Sequence, residues 1–242
     1  MVPPPEASIN ERFTAVDRHP GGGEETRQML DACYNPSAVQ TAVDLANTLK
    51  PIKGEDELET VEQLRDFLDE HPPAALAEPA GHGAGRRWRL TRADLAEVRA
   101  LRETVRAVLE RANTDAVEAA ALINDGLRRS RATPALRHDH DRWRTEITSD
   151  TDRCSAHLAA TTLSALASVI ATLGPARLGV CAGPACRATF ADLSRNGSKQ
   201  SCTRTCAHRA SVTAYRSRQS ARGVPARQAP EFRVQAIADH AG

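Results

Sequence analysis

Four cysteines late in the chain have the residue type and the spacing of a metal site. Cys181 and Cys186 form one close pair, fifteen residues follow, and Cys202 and Cys206 form a second close pair. Each pair can turn two sulfurs toward one ion, and two pairs complete the tetrahedral shell that Zn2+ prefers. The gaps of four and three residues within the pairs disfavour a dithiol redox site. The sequence therefore predicts Zn2+ held by these four ligands.

A shell of four thiolates leaves no position for a bound water, so we expect the zinc to be structural rather than catalytic. The sequence also contains no phosphate-binding loop, no nucleophile elbow and no His-Glu-x-x-His motif. We therefore expect this protein not to be an enzyme. The remaining cysteines, Cys33 and Cys154, have no close partner and are interpreted as incidental or buried thiols.

The residues around the four cysteines must form a small module that has almost no core of its own. We predict a strand over residues 189–193, a turn at Asn196-Gly197, a returning strand over 199–201 and a helix that begins at or near the second cysteine pair and runs to 218. Metal binding should then supply most of the folding free energy of this piece.

Charge is distributed unevenly along the chain, although the net charge is only +1. Residues 174–233 carry eleven Lys and Arg against two acids, a net charge of +9, and the residues before them carry −7. This asymmetry indicates a polyanionic partner, usually nucleic acid, whereas the alternative is a solvated basic end that binds nothing. The candidate contacts are Arg187, Arg195, Lys199, Arg204, Arg209 and Arg216.

Three partner classes remain open on this evidence: DNA, RNA, or a protein recognised by a module whose zinc is purely structural. Few aromatic residues lie near the basic segment, so the stacking platform of single-strand binders is missing and DNA is favoured over RNA.

Composition is that of a soluble protein, with 40% hydrophobic and 26% charged residues. The chain begins Met-Val-Pro-Pro-Pro, which is not a secretory signal, and we expect a cytoplasmic protein with reduced thiols. An uncharged run covers residues 158–176, but serines and threonines recur through it at helical spacing. We therefore expect an amphipathic core helix and no membrane association.

The body before the cysteines is predicted to be helical. Helices are expected over 37–49, 115–128 and 150–173, and a β-hairpin over 135–148 with its turn at 139–141. The capping pairs Thr60/Gln63 and Thr91/Asp94 mark two further helix starts. In the second of these helices the charged residues, Arg102 and Arg106 among them, are interpreted as a solvated face. His138 and His140 near the hairpin turn are interpreted as exposed polar residues rather than metal ligands.

These elements predict a mainly α fold with a small β-hairpin, an α+β arrangement in which a helical body precedes a treble-clef-like zinc finger. The expected division is a disordered tail over 1–34, a helical domain over 35–174, the finger over 175–220 and a flexible basic tail over 221–242.

The finger resembles the CGNR zinc finger family, named for Cys-Gly-Asn-Arg at its last ligand. The resemblance rests on the Cys-x4-Cys pair, on Asp192-Leu-Ser-Arg-Asn196, and on Cys206-Ala-His-Arg209 followed by Tyr215-Arg. Ala207 and His208 replace the family's Gly and Asn, and His208 offers a mixed-ligand alternative for the metal.

The body resembles the ABATE domain that usually precedes this finger. Val43-Asp-Leu-Ala-Asn-Thr48 is similar to its opening motif, and Leu90-Thr-Arg-Ala-Asp-Leu95 is similar to the start of its long helix. The resemblance covers about residues 35–220 and implies a bacterial transcription regulator linked to stress responses. It implies nucleic-acid binding, with RNA also proposed for the family. Our leading hypothesis is a DNA-binding regulator whose body either senses a small-molecule effector or forms a homodimer.

Overall fold

Six α-helices dominate the computed structural model, which describes residues 34–72, 88–139, 142–183 and 185–221. The helices are α1 Pro36–Asn47, α2 Val61–Glu70, α3 Arg92–Arg111, α4 Ala116–Arg129, α5 Cys154–Leu173 and α6 Arg204–Ala221. Three antiparallel two-stranded sheets accompany them in these residues. The strands are β1 Leu49–Lys50, β2 Glu55–Asp56, β3 Ala132–Asp139, β4 Arg142–Ser149, β5 Leu178–Val180 and β6 Thr189–Ala191. The predicted fold class, mainly α with some β, is confirmed.

Helix α5 lies at the centre of the body and packs against α1, α3 and α4. Leu158, Leu163, Leu166 and Val169 are fully buried along it. By length and composition α5 could cross a membrane, but more than half of it is buried against its neighbours. That burial is the environment of a core helix in a soluble protein, as its small polar residues predicted.

Local capping signals fixed the starts of α2 and α3 as predicted. The Thr60 hydroxyl accepts a hydrogen bond from the Gln63 N–H at 3.2 Å, and Gln63 Oε1 accepts one from the Thr60 N–H at 2.9 Å. Thr91 and Asp94 make the same reciprocal pair at α3. Each pair satisfies two N–H groups that the helix itself leaves without a partner.

The predicted β-hairpin is formed by β3 and β4, whose register pairs His138 with Trp143. Their rings lie 4.7 Å apart between centroids, and Trp143 is 66% exposed. Among the described residues, His138 belongs to no group of metal-ligating side chains. His140 lies outside the described residues.

The second strand predicted for the finger, residues 199–201, is not formed. Strand β6 pairs instead with β5, which precedes the first cysteine pair, in the register Leu178↔Ala191, Gly179↔Phe190 and Val180↔Thr189. The Lys199 N–H, which a returning strand would offer to its neighbour, donates to the Asp192 carboxylate at 2.8 Å. The turn at Asn196-Gly197 does form, with Gly197 at φ +59°.

The finger's sheet packs on the body rather than standing apart from it. Leu178 is 1% exposed and belongs to the same apolar cluster as the core helices, and β6 packs against α1. The division after residue 174 stays a prediction about sequence modules, and the packing crosses it. Except for Tyr34 and Ala221, the predicted tails over 1–34 and 221–242 lie outside the described residues.

Candidate metal centre

The structure brings the four predicted ligands together. The Sγ atoms of Cys181, Cys186, Cys202 and Cys206 all lie within 4.8 Å of one another. The distance is 3.7 Å from Cys202 Sγ to Cys186 Sγ and 3.7 Å from Cys202 Sγ to Cys206 Sγ. A tetrahedral zinc with Zn–S bonds of about 2.3 Å requires sulfurs about 3.8 Å apart. The donor set and its spacing therefore fit Zn2+.

The first pair is carried by a tight loop at the tip of the β5–β6 hairpin. The Cys181 N–H donates to the Ala188 carbonyl at 2.8 Å, and the Cys186 N–H donates to the Gly183 carbonyl at 3.1 Å. A Cβ at Gly183 would lie 3.4 Å from Cys181 Sγ and 3.3 Å from Cys186 Cβ. Glycine at this position lets the loop close around the sulfurs.

The second pair is held by the start of α6. Cys202 precedes the helix, and Cys206 lies in its first turn, where its N–H donates to the Thr203 hydroxyl at 3.2 Å. The helix predicted to begin at or near the second pair is therefore confirmed, and it begins at Arg204, between the two cysteines.

Four thiols this close together cannot all ionise easily without a cation. Burial and the neighbouring cysteine side chains raise the pKa of the Cys202 thiol to about 12. Burial also acts to raise the pKa of Cys181, but hydrogen bonds from the N–H groups of Cys202 and Gly183 outweigh it and lower that pKa to about 7. A bound Zn2+ would stabilise all four thiolates and release protons as it binds.

No other side chain joins the cluster within the described residues. His208 is exposed on α6 and is not among the grouped ligand atoms, so the mixed-ligand alternative has no support. Cys154 is 2% exposed in the body core, and burial raises its pKa to about 11, which makes it an unreactive thiol. Cys33 lies outside the described residues.

Two family models match this chain, one in the body and one in the finger. The model of the ABATE family, described as "Putative stress-induced transcription regulator", matches residues 40–173, more than half of the chain. This chain belongs to the ABATE family. The CGNR zinc finger model matches residues 177–219, which contain all four cysteines. With the sulfur geometry, this match confirms the prediction of Zn2+. A comparison with curated proteins gave no match.

Two side chains of the ABATE domain hold the CGNR finger in place. The Asn47 amide accepts from the Thr189 N–H at 2.8 Å and donates to the Thr189 carbonyl at 3.0 Å. The Arg106 guanidinium donates to the Arg187 carbonyl at 2.7 Å and to the Ala46 carbonyl at 3.1 Å. The zinc-bearing hairpin is thus fixed to α1 and α3 by hydrogen bonds to its backbone.

The interpretation of Arg102 and Arg106 as solvated residues was wrong. Arg102 is 3% and Arg106 is 7% exposed. Arg102 binds Asp56 with two hydrogen bonds, of 2.6 and 3.1 Å, and so anchors β2 to α3. Burial acts to raise the pKa of Asp56, but the bonds from Arg102 outweigh it and hold the pKa below its usual value. Both arginines also have local acidic partners, Glu103 and Glu110, but the acceptors that permit their burial are distant in the chain, and sequence periodicity does not show these acceptors.

The predicted nucleic-acid contacts all lie on the surface of the CGNR finger. Five of them have exposed side chains that form no ion pair with a described residue. These five are Arg187, Arg195, Arg204, Arg209 and Arg216. Lys199 is also exposed, but its Nζ lies 3.3 Å from the Ala191 carbonyl and 5.5 Å from the centre of the Phe190 ring. The ammonium group of Lys199 therefore already makes contacts within the finger.

The one acidic residue of the described finger is turned inward. Asp192 is 2% exposed, and its carboxylate accepts from the Ser194 N–H at 3.0 Å, the Ser194 hydroxyl at 2.6 Å and the Lys199 N–H at 2.8 Å. The exposed charges of this part of the finger are consequently all positive.

Proposed function

We propose that this protein is a cytoplasmic transcription regulator that binds nucleic acid through its CGNR finger, with a structural zinc. The observation that carries the proposal is the inward turn of Asp192. Because this carboxylate is buried, all the exposed charges on the described part of the finger are positive. A uniformly positive surface attracts a polyanion within about one Debye length, and contact between them releases the counterions of the polyanion.

The zinc's role in this proposal is to hold the basic surface in one shape. Four thiolates leave no coordination position for water or substrate, which supports a non-enzymatic function. The hydrogen bonds from Asn47 and Arg106 extend that rigidity to the ABATE domain, which is the part proposed to sense an effector or to dimerise.

Duplex DNA is the favoured ligand because the described finger exposes a single aromatic side chain, Tyr215, at 57%. Its other aromatic residue, Phe190, is 6% exposed. One exposed ring cannot form the series of stacking positions on which single-strand binders hold successive bases.

Fluorescence anisotropy with labelled duplex DNA, single-stranded DNA and RNA tests the proposal on the zinc-loaded protein. We expect duplex DNA to bind most tightly and the logarithm of the binding constant to fall linearly with the logarithm of the salt concentration. Tighter binding to RNA would replace DNA with RNA as the ligand. Absence of binding to all three probes at low salt would refute nucleic-acid binding.

A protein-interaction module is the second candidate, favoured by the exposed apolar side chains of the β3–β4 hairpin. Leu136 is 65% and Trp143 is 66% exposed on this hairpin. In that case, Leu136→Ser and Trp143→Ser, or charge reversal at Arg209 and Arg216 if the finger shares the interface, would disturb a protein partner, and the three nucleic-acid probes would not bind.

A further inference from the structure

A groove of about 500 Å3 lies between the segment 198–203 and the first turns of α6. Its lining combines small apolar side chains, those of Ala182, Ala207 and Ala210, with hydroxyl and amide side chains. The polar lining residues are Ser198, Gln200, Ser201, Thr203 and Ser211. Lys199 and Arg204 complete the lining together with Cys202.

The chemistry of this lining matches a phosphodiester backbone. Two basic residues and five residues with neutral hydrogen-bonding side chains are among those lining the groove, and no acidic residue of the described chain is. Most hydrogen bonds from proteins to nucleic-acid backbones come from arginine, lysine, serine, threonine and glutamine side chains. The alanines leave room for a strand to approach closely, and the lining contains no aromatic ring on which a base could stack.

The zinc site holds the two walls of the groove together. Segment 198–203 contains Cys202, and the opposite wall, α6, contains Cys206, whose Sγ lies 3.7 Å from that of Cys202. The Ala182 N–H also donates to the Gln200 carbonyl at 2.9 Å, which joins segment 198–203 to the loop of the first cysteine pair. The groove's width is therefore set by the ligands of one ion.

We propose that this groove holds the sugar-phosphate backbone of one nucleic-acid strand, with Arg204 contacting a phosphate, while the Lys199 ammonium keeps its contact with the Ala191 carbonyl. This inference rests on the proposed function and divides the six predicted contacts into two sets. Arg187, Arg195, Arg209 and Arg216 do not line the groove. Because the contacts are to the backbone, binding in the groove contributes affinity and register but no sequence preference.

The first test places a carboxylate inside the groove and an identical one outside it. Ser211 lines the groove, whereas Ser217 is exposed on the same helix and does not line it. Ser211→Asp and Ser217→Asp change the net charge equally, so the effect of net charge alone is the same in both. We expect Ser211→Asp to weaken binding by about tenfold and Ser217→Asp by no more than about twofold.

The second test fills the groove without changing charge. Ala210→Leu narrows the groove, and Ala214→Leu makes the same change one turn beyond its lining. Both variants are compared with the wild-type chain for zinc content, thermal unfolding and binding to two duplexes of equal length and unrelated sequence. Loss of binding in Ala210→Leu alone, equal on both duplexes and with zinc retained, supports the groove. Single-stranded DNA and RNA as further probes identify the source of the backbone.

The outcomes separate the groove from the proposed function. If the wild-type chain binds and both groove variants bind as their controls do, the groove is not the binding surface, while the proposed function stands. A groove variant that affects the two duplexes unequally overturns the assignment to the backbone. If the wild-type chain binds none of the probes, the proposed function itself fails.

Discussion

The side-chain amide of Asn47 bonds to both backbone groups of Thr189, a residue 142 positions later in the chain. The amide thereby makes with β6 the pair of hydrogen bonds that a neighbouring strand would make. Its oxygen also accepts a hydrogen bond from the Thr189 hydroxyl at 3.2 Å. Thr189 is 0% exposed, so water cannot replace these bonds. A motif in the ABATE domain is in this way part of the support of the zinc site.

Replacing Asn47 should destabilise the whole described fold. We expect Asn47→Ala to lower the free energy of unfolding by about 2–4 kcal/mol, because a buried N–H and a buried carbonyl of Thr189 lose their hydrogen-bond partner. Urea unfolding measures the loss. The control is Gln40→Ala, which removes an exposed side-chain bond to Asp44 on the same helix and should cost less than about 0.5 kcal/mol. Equal losses in the two variants would contradict the role given to Asn47.

Arg106 should resist replacement by lysine. Its guanidinium reaches the Arg187 and Ala46 carbonyls while its Nε donates to Glu110 at 3.0 Å. An ammonium group cannot reproduce these directions, so Arg106→Lys is expected to lower the free energy of unfolding by about 1–3 kcal/mol. Arg99→Lys is the matched control, because Arg99 on the same helix is half exposed. A loss at position 106 no larger than at position 99 would argue against the guanidinium contacts.

The ion pair of Asp56 and Arg102 should make the free energy of unfolding depend on pH in the acidic range. Because the folded-state pKa of Asp56 lies below its unfolded value of about 3.9, the pair contributes fully above that pH. The contribution disappears as the pH falls through the lower, folded-state pKa. Asp56→Asn removes the charge that accepts two hydrogen bonds from buried Arg102, leaves it only the more exposed Glu103 at 3.1 Å, and should cost about 2–4 kcal/mol at neutral pH.

Urea titrations of the wild-type chain and of Asp56→Asn, at pH 7 and near pH 3, check this expectation. The difference between the two proteins should shrink in acid. A constant difference would show that the carboxylate's charge is not what matters at this position.

Zinc content should be one ion per chain and should depend on the fourth ligand. Mass spectrometry under native conditions is expected to show the ion in the wild-type chain and its loss or strong reduction in Cys206→Ser. Cys154→Ser, which changes a buried thiol far from the cluster in sequence, should keep the metal. Wild-type chain without zinc at neutral pH would remove the structural basis of the proposed function.

Zinc affinity should fall as the pH is lowered. The four thiols must lose their protons to bind the ion, and burial raises the pKa of Cys202 to about 12, so protons compete with the metal. Competition with a chromogenic chelator at several pH values measures the effect. An affinity that does not change between about pH 8 and pH 6 would contradict a thiolate shell.

Local patterns predicted the parts of this molecule that local interactions decide. The capping pair Thr60/Gln63 and the spacing of the cysteines act over a few residues, and the structure reproduces both. Local patterns could not predict the burial of Arg102, because it pairs with the carboxylate of Asp56, 46 positions earlier in the chain. Periodicity identifies a polar face but not the distant acceptor that lets this face become buried.

The misplaced strand in the finger has a similar cause. Residues 199–201 have the composition of a returning strand, but the Asp192 side chain takes the Lys199 N–H. Strand β5 went unrecognised because it has three residues, one of them Gly179. Its stability comes from Leu178 in the body core, which is a tertiary contact that the local sequence does not show.

The position of Leu178 bears on how the two modules can evolve. A recombination event that joined a different finger at residue 174 would remove a side chain from the interior of the ABATE domain together with the zinc ligands. The incoming finger would have to supply a replacement for Leu178 and a strand able to bond Asn47. Inheritance as a pair is therefore favoured over free exchange of fingers, and Asn47 is expected to be retained wherever this strand is retained, because it bonds the backbone of residue 189.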